Sequence, residues 1–152
     1  MTVKWENYVV PALDMATTKD VAAMEGLLGI KFPEDYKALI LENQGKCPDK
    51  EMVESDEINP VPFGPLFHIQ TECDKSHELY GVAKRWEKWN KIYEKKVPIA
   101  DSAGSGAFFA YDYNVSADNP PIVFIDTGLA PDDEDAVLLV ASSINELVSN
   151  LK

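Results

Sequence analysis

TKDVAAMEGLLGIKFPEDYKALILENQG, residues 18–45, reads as two short helices joined by a turn, and each punctuating residue has a physical reason to be there. Thr17 or Thr18 can accept from the free amides that open a helix, a cap worth about 1 kcal/mol. Val21, Met24, Leu27 and Leu28 then recur at helical spacing and define a face that must be buried. Gly29 supplies the left-handed conformation that ends such a helix without a side-chain penalty. Pro33, acceptable at a helix start, opens the second helix. Tyr36, Leu39 and Ile40 form its apolar stripe, and Asn43-Gln44-Gly45 closes it with residues that tolerate turn geometry.

Outward from this pair, residues 3–13 read as a short opening helix or an irregular cover interrupted at Pro11. Residues 46–65 read as loop, because Pro48, Pro60, Pro62 and Pro65 alternate with Glu51, Glu54, Asp56 and Glu57. A short strand is expected at 66–70. Thr71, with Asp74 three residues on, starts a helix in which Leu79, Val82, Trp86, Trp89 and Tyr93 share a face, bent at Gly81. Beyond Pro98 the period becomes strand-like, with strands expected at 97–100, 107–113, 121–126 and 136–141 between Gly, Asn, Pro and Asp clusters. Four successive strands predict an antiparallel meander, and the apolar runs 122–125 and 137–140 predict strands covered on both faces. Ser143 with Glu146 opens a final helix. The fold class is α+β, a mainly antiparallel sheet flanked by helices, in one domain spanning residues 1–152.

Particular residues carry a family resemblance. They are Val21, Glu25, Leu28, Gly29, Phe32, Pro33, Asp35, Tyr36, Leu39, Asn43 and Gly45, followed by Val97-Pro98-Ile99-Ala100-Asp101 through Gly104 and Gly106 into Phe108-Phe109-Ala110-Tyr111-Asp112, and the closing Ala141-Ser142-Ser143-Ile144-Asn145-Glu146-Leu147. This pattern resembles the SUKH superfamily, named for the yeast Smi/Knr cell-wall regulator. It spans nearly the whole chain and is weakest over 46–70. It departs from the family pattern at Gln44, where a second glycine is usual, and at Ile144, where an aromatic is common.

The 152 residues carry a formal net charge of −12, unevenly distributed. From Val97 onward nine carboxylates, the last of them Glu146, face the single cation Lys152. Such a surface repels a phosphate backbone, whose binding depends on cationic contacts, so nucleic-acid binding is not expected. It attracts basic proteins and accelerates their encounter about 10- to 1,000-fold. No apolar run reaches the ~18 residues of a membrane span, and the opening MTVKWENYVV lacks the pattern of a secretory signal. The expectation is a cytoplasmic protein with no membrane partner and with Cys47 and Cys73 reduced.

Other constellations give no chemistry. Cys47, His68, Cys73 and His77 lack the close ligand pairs of a zinc site. Gly104-Ser105-Gly106 is followed by a strand where a phosphate cradle needs a helix. Asp112, Asn114, Ser116 and Asp118 alternate like a calcium loop, but Ala117 replaces the turn glycine and Val123 the bidentate glutamate. Trp86 and Trp89 are assigned to the apolar stripe and Lys84, Lys88, Lys91 and Lys95 to a solvated face. No catalytic residue, metal or cofactor is expected.

The resemblance implies a binding role without catalysis: an immunity protein that occludes a cognate bacterial polymorphic or contact-dependent toxin domain, plausibly a nuclease. The alternative it implies is a regulatory or scaffolding interaction module with no toxin partner. A monomer is expected. The contact residues are placed by exposure on Glu54, Asp56 and Glu57 in the proline-rich loop and on Asp132, Asp133, Glu134 and Asp135 between the last strands.

Overall fold

The computed structural model describes residues 3–102 and 105–152. It is an α+β protein built around a four-stranded antiparallel sheet, β5 (Lys96–Asp101), β6 (Phe108–Asp112), β7 (Ile122–Ile125) and β8 (Val137–Ala141), in meander order. Helices α1 (Thr18–Leu28) and α2 (Glu34–Asn43) precede it, α3 (Val82–Trp89) leads into it, and α4 (Ile144–Ser149) follows it.

The helix pair forms by the local chemistry its sequence announces. Thr17 caps α1, its side chain accepting from Asp20 N while the Asp20 carboxylate accepts from Thr17 N. Gly29 ends it at φ 71°, and Pro33 stands immediately before α2. Val21, Met24 and Leu28 are buried, as are Tyr36 and Ile40. Leu27 is not: it stands 58% exposed, one position off the buried stripe.

Alternation along β6 sends Phe109 and Tyr111 to one face of the sheet and Phe108 to the other. Tyr36 of α2 meets Tyr111 edge to face at 5.6 Å, whereas Trp89 of α3 stacks on Phe108 at 6.1 Å. The helices therefore cover opposite faces, which is why all four residues of β7 are buried. The expectation of double cover fails for β8. This is an edge strand with its central residues half-buried and Leu139 53% exposed.

Several elements differ from the sequence reading. Trp5–Asn7 is a strand, β1, because Lys46–Pro48, β2, offers it a backbone partner in register. The proline-rich segment holds that strand and a second small pair, β3 (Met52–Val53) with β4 (Val61–Pro62), since ladders this short need few amide donors. Residues 66–70 form bridges rather than a strand: Leu66 pairs with Ala100 along the outer edge of β5, and His68 with Gly81. The helix expected through 79–93 is broken at Gly81. A 3-10 turn, Lys75–Tyr80, ends there and α3 begins, because the backbone of His68 takes up both sides of the break: His68 N donates to Tyr80 O at 2.8 Å and Val82 N donates to His68 O at 3.0 Å. A side chain at Gly81 would collide with the His68 ring, 2.9 Å from a β-carbon. Among the described residues no helix is long and apolar enough to cross a membrane.

Candidate protein-binding surface

Strand β8 exposes an unpaired edge, and the proline-rich loop closes over its middle. The Ser55 hydroxyl donates to Leu139 O at 3.4 Å, and the Glu57 carboxylate accepts from Leu139 N at 2.9 Å. One residue of the edge is thereby satisfied by side chains instead of a neighbouring strand, a common guard against edge-to-edge pairing. Beside it lies a groove of about 470 Å³ whose floor is Pro121, Leu139, Val140 and Ala141 and whose rim carries Asp56, Glu57 and Glu146.

The second acidic group, Asp132 to Asp135, occupies the turn that feeds β8. Asp133 N donates to Ala130 O at 2.9 Å, and the Asp133 carboxylate accepts from Asp135 N at 2.8 Å, which fixes the turn. Asp135 stands in that turn two positions before the first residue of β8, and Leu139 is the third residue of the strand. Both predicted groups thus border one sheet edge, and all seven residues are exposed. They are not equally free. Glu54 is ion-paired with Lys152 and Glu57 holds Leu139, so Asp56, Asp132, Glu134 and Asp135 are the carboxylates without a side-chain task in the fold among the described contacts.

Of the soft-ligand residues, His68, His77 and Cys47 are taken up by the fold, and Cys73 is exposed. The His68 ring, 1% exposed, donates through Nε2 to His77 O at 2.9 Å and accepts at Nδ1 from Gln70 N at 3.2 Å, which makes it a neutral imidazole; burial lowers its pKa. His77 Nε2 bonds Pro11 O at 2.6 Å. Burial pushes the Cys47 thiol up to about 11, so it is a poor nucleophile. Among the described residues no three His, Cys, Asp or Glu side chains converge on a metal position. The Asp112 carboxylate is taken up by Asn114 and Lys96, and the Ser116 hydroxyl accepts from Asp118 N and Asn119 N, as in a self-contained loop. Of the glycine-rich turn, Gly104 lies outside the described residues; Ser105 N donates to Ser102 O and Gly106 adopts φ 81° at the entry to β6. Tyr36 and Tyr111 bury hydroxyls that have no partner among the described residues, and desolvation raises the pKa of both. Tyr36 is enclosed in the core, whereas Tyr111, itself fully buried, forms part of the wall of a cavity of about 540 Å³ that Lys31, Asp35 and Lys37 also line.

Glu25 explains itself as a structural residue. Its carboxylate accepts from Phe32 N at 2.7 Å, stands 3.7 Å from Lys37 Nζ, and joins the end of α1 to the start of α2. The sequence reading missed Trp86. Its ring is half-buried and borders an open groove between α1 and α3 instead of lying wholly in the core. The signal available was Gly26, a helix-breaking residue in the middle of an otherwise regular helix.

The fold is an α+β sheet whose open edge is acidic and guarded by side chains from the proline-rich loop. The chain belongs to the SMI1 / KNR4 family (SUKH-1), whose family model matches residues 15–150. No curated protein matches its sequence.

Proposed function

We propose that this protein is an immunity-type binding protein that neutralises a cognate toxin domain by stoichiometric occlusion, without turnover. The observation that carries the reading is the family membership across residues 15–150. The acidic border of β8 supports the mechanism. A nuclease toxin presents a cationic cleft shaped for phosphates, and Asp56, Asp132, Glu134 and Asp135 can steer that cleft and occupy its anion sites. The groove floor of Leu139 and Val140 adds the apolar contact that a stable interface of ~1,600 Å² requires.

The test is co-expression with whichever toxin domain is found encoded beside the gene, followed by binding measurement. Native protein rescues growth and binds one to one. Reversing Asp56, Asp132, Glu134 and Asp135 to lysine weakens binding and steepens the growth defect while the fold persists, because none of these side chains holds another part of the chain. Unchanged affinity in that variant would remove the acidic edge from the interface while leaving the immunity role in place. Failure of native protein to rescue or bind would favour the regulatory or scaffolding role instead.

A further inference from the structure

The four-stranded sheet has two edges, and backbone pairing continues past only one of them. Outside β5, Leu66 bridges to Ala100, and Gly64 bridges to Ser102 just beyond the strand. Outside β8 no strand or bridge pairs among the described residues. Along an antiparallel strand one residue turns its N–H and C=O to one neighbour, and the next residue turns them to the opposite side. Ala136 O accepts from Asp126 N at the end of β7, at 2.8 Å, so Val137 and Leu139 turn theirs away from the sheet. Leu139 has both groups covered by side chains, its N–H by the Glu57 carboxylate at 2.9 Å and its C=O by the Ser55 hydroxyl at 3.4 Å. Val137 has no such cover among the described hydrogen bonds.

The groove beside this edge is charged in one sense only. Its ionisable lining is Asp56, Glu57 and Glu146, and no lysine, arginine or histidine lines it among the described residues. Asp132 to Asp135 add carboxylates in the turn at the other end of the strand. Between them the floor is apolar, with Leu139 53% exposed. The guard on Leu139 is therefore itself an anion. A strand that displaces it must lie beside the released carboxylate. Lysine or arginine on that strand pairs with Glu57, whereas an acidic strand meets repulsion, so the same side chain that closes the edge selects what opens it.

We propose that β8 accepts an extended segment of a partner protein as a fifth strand, that this segment alternates lysine or arginine with apolar residues, and that Glu57 is the gate it displaces. The incoming backbone takes the Leu139 N–H and C=O from Glu57 and Ser55 and pairs with Val137, the mode of recognition in which main-chain bonds hold the segment and alternate side chains select it. Its apolar side chains lie on Leu139 and Val140, and its cations meet Asp56 and the released Glu57. The inference rests on the acidic edge being the partner-binding face, and it does not require that the partner be a toxin.

The probe is a fluorescein-labelled heptapeptide of alternating lysine and valine, titrated with the intact protein and followed by anisotropy at low salt. Saturable binding is expected, weakened ~10-fold or more when glutamate replaces the peptide lysines. Methylating alternate backbone nitrogens of the peptide separates strand pairing from simple charge attraction, because only one of the two alternate sets faces β8. Methylation of that set abolishes binding, and methylation of the other leaves it in place. The second readout is hydrogen exchange in Glu57→Ala, where the Leu139 amide has lost its guard: saturating peptide slows its exchange ~10-fold or more by covering the same N–H. Absence of saturable binding, equal affinity of the glutamate peptide, the same response to both methylated sets, or a Leu139 amide that stays fast under saturating peptide would overturn the proposal. If the peptide fails while a toxin domain is still neutralised, strand addition falls and the immunity reading stands. If the peptide protects Leu139 while no toxin is neutralised, the reverse holds.

Discussion

Glu25 shows how much of this structure turns on single polar atoms. Only 8% exposed, it receives the Phe32 amide on its carboxylate and the Gly29 and Ile30 amides on its backbone oxygen, so one residue ends α1 and begins α2. Glu25→Ala would leave the Phe32 N–H buried and unpaired, a cost of about 2–3 kcal/mol, whereas Glu25→Gln keeps an acceptor and costs less; urea unfolding of the two variants measures the difference. His68 makes a prediction in pH. Its folded pKa is lowered by burial, while in the unfolded chain it titrates near ~6.5. Above that value both states are neutral and its contribution to stability is complete. As pH falls below it, only the unfolded chain takes up the proton, so stability declines down to the lower folded value. Unfolding free energy measured between pH 7.5 and pH 5 should fall in the native protein and fall less in His68→Gln. At this scale the sequence spoke clearly wherever the partner was local. The Thr17 cap, the Gly29 stop and the Ser143 cap, whose hydroxyl accepts from Glu146 N at 3.1 Å, all lie within a few residues of what they satisfy. The neutral, buried state of His68 depends on Gln70, His77 and the close approach of Gly81, which spacing does not reveal.

Elements follow the same division. The four-strand meander was legible because period-two patterning and turn residues are local signals, and the observed strands differ from the expected ones by a residue or two at their ends. Helix 79–93 was not, because its apolar period continues through a point where the backbone of His68 captures Tyr80 and Val82. Nor was β1, since a three-residue strand exists only through its partner β2. Two element-level outcomes can be checked. Gly26→Ala should stabilise α1 by about 1 kcal/mol, read as a rise in melting temperature, since the added methyl has open space and alanine is the better helix former. Glu57→Ala should speed hydrogen exchange at the Leu139 amide while leaving the Phe124 and Ile125 amides in the sheet interior slow, because the Glu57 carboxylate is what covers that N–H at the β8 edge. An unchanged Leu139 exchange rate would remove Glu57 as the guard of that edge.

Over the whole molecule, charge is segregated. Exposed carboxylates border β8, where a partly apolar groove lies beside them, whereas the groove between α1 and α3 balances Lys31 and Lys95 against Glu25 and Asp118. The acidic bias could be counted in the sequence, and both acidic clusters were named from it. That they border a single sheet edge could not, because residues 54–57 reach β8 only through side-chain bonds to Leu139, more than 80 positions away. The groove between α1 and α3 escaped the sequence for the same reason: Gly26, Trp86 and Lys95 lie far apart along the chain. The family membership and an anionic edge with an apolar floor support the one central proposal, that this protein acts by covering a basic partner with a preformed surface. The most direct test is a titration of the activity of a toxin domain, taken from whichever toxin gene is found beside this one, with this protein across a range of salt. Inhibition should be complete at one equivalent, with an association rate that falls steeply as ionic strength rises; full toxin activity in the presence of excess protein, or an association rate indifferent to salt, would contradict it.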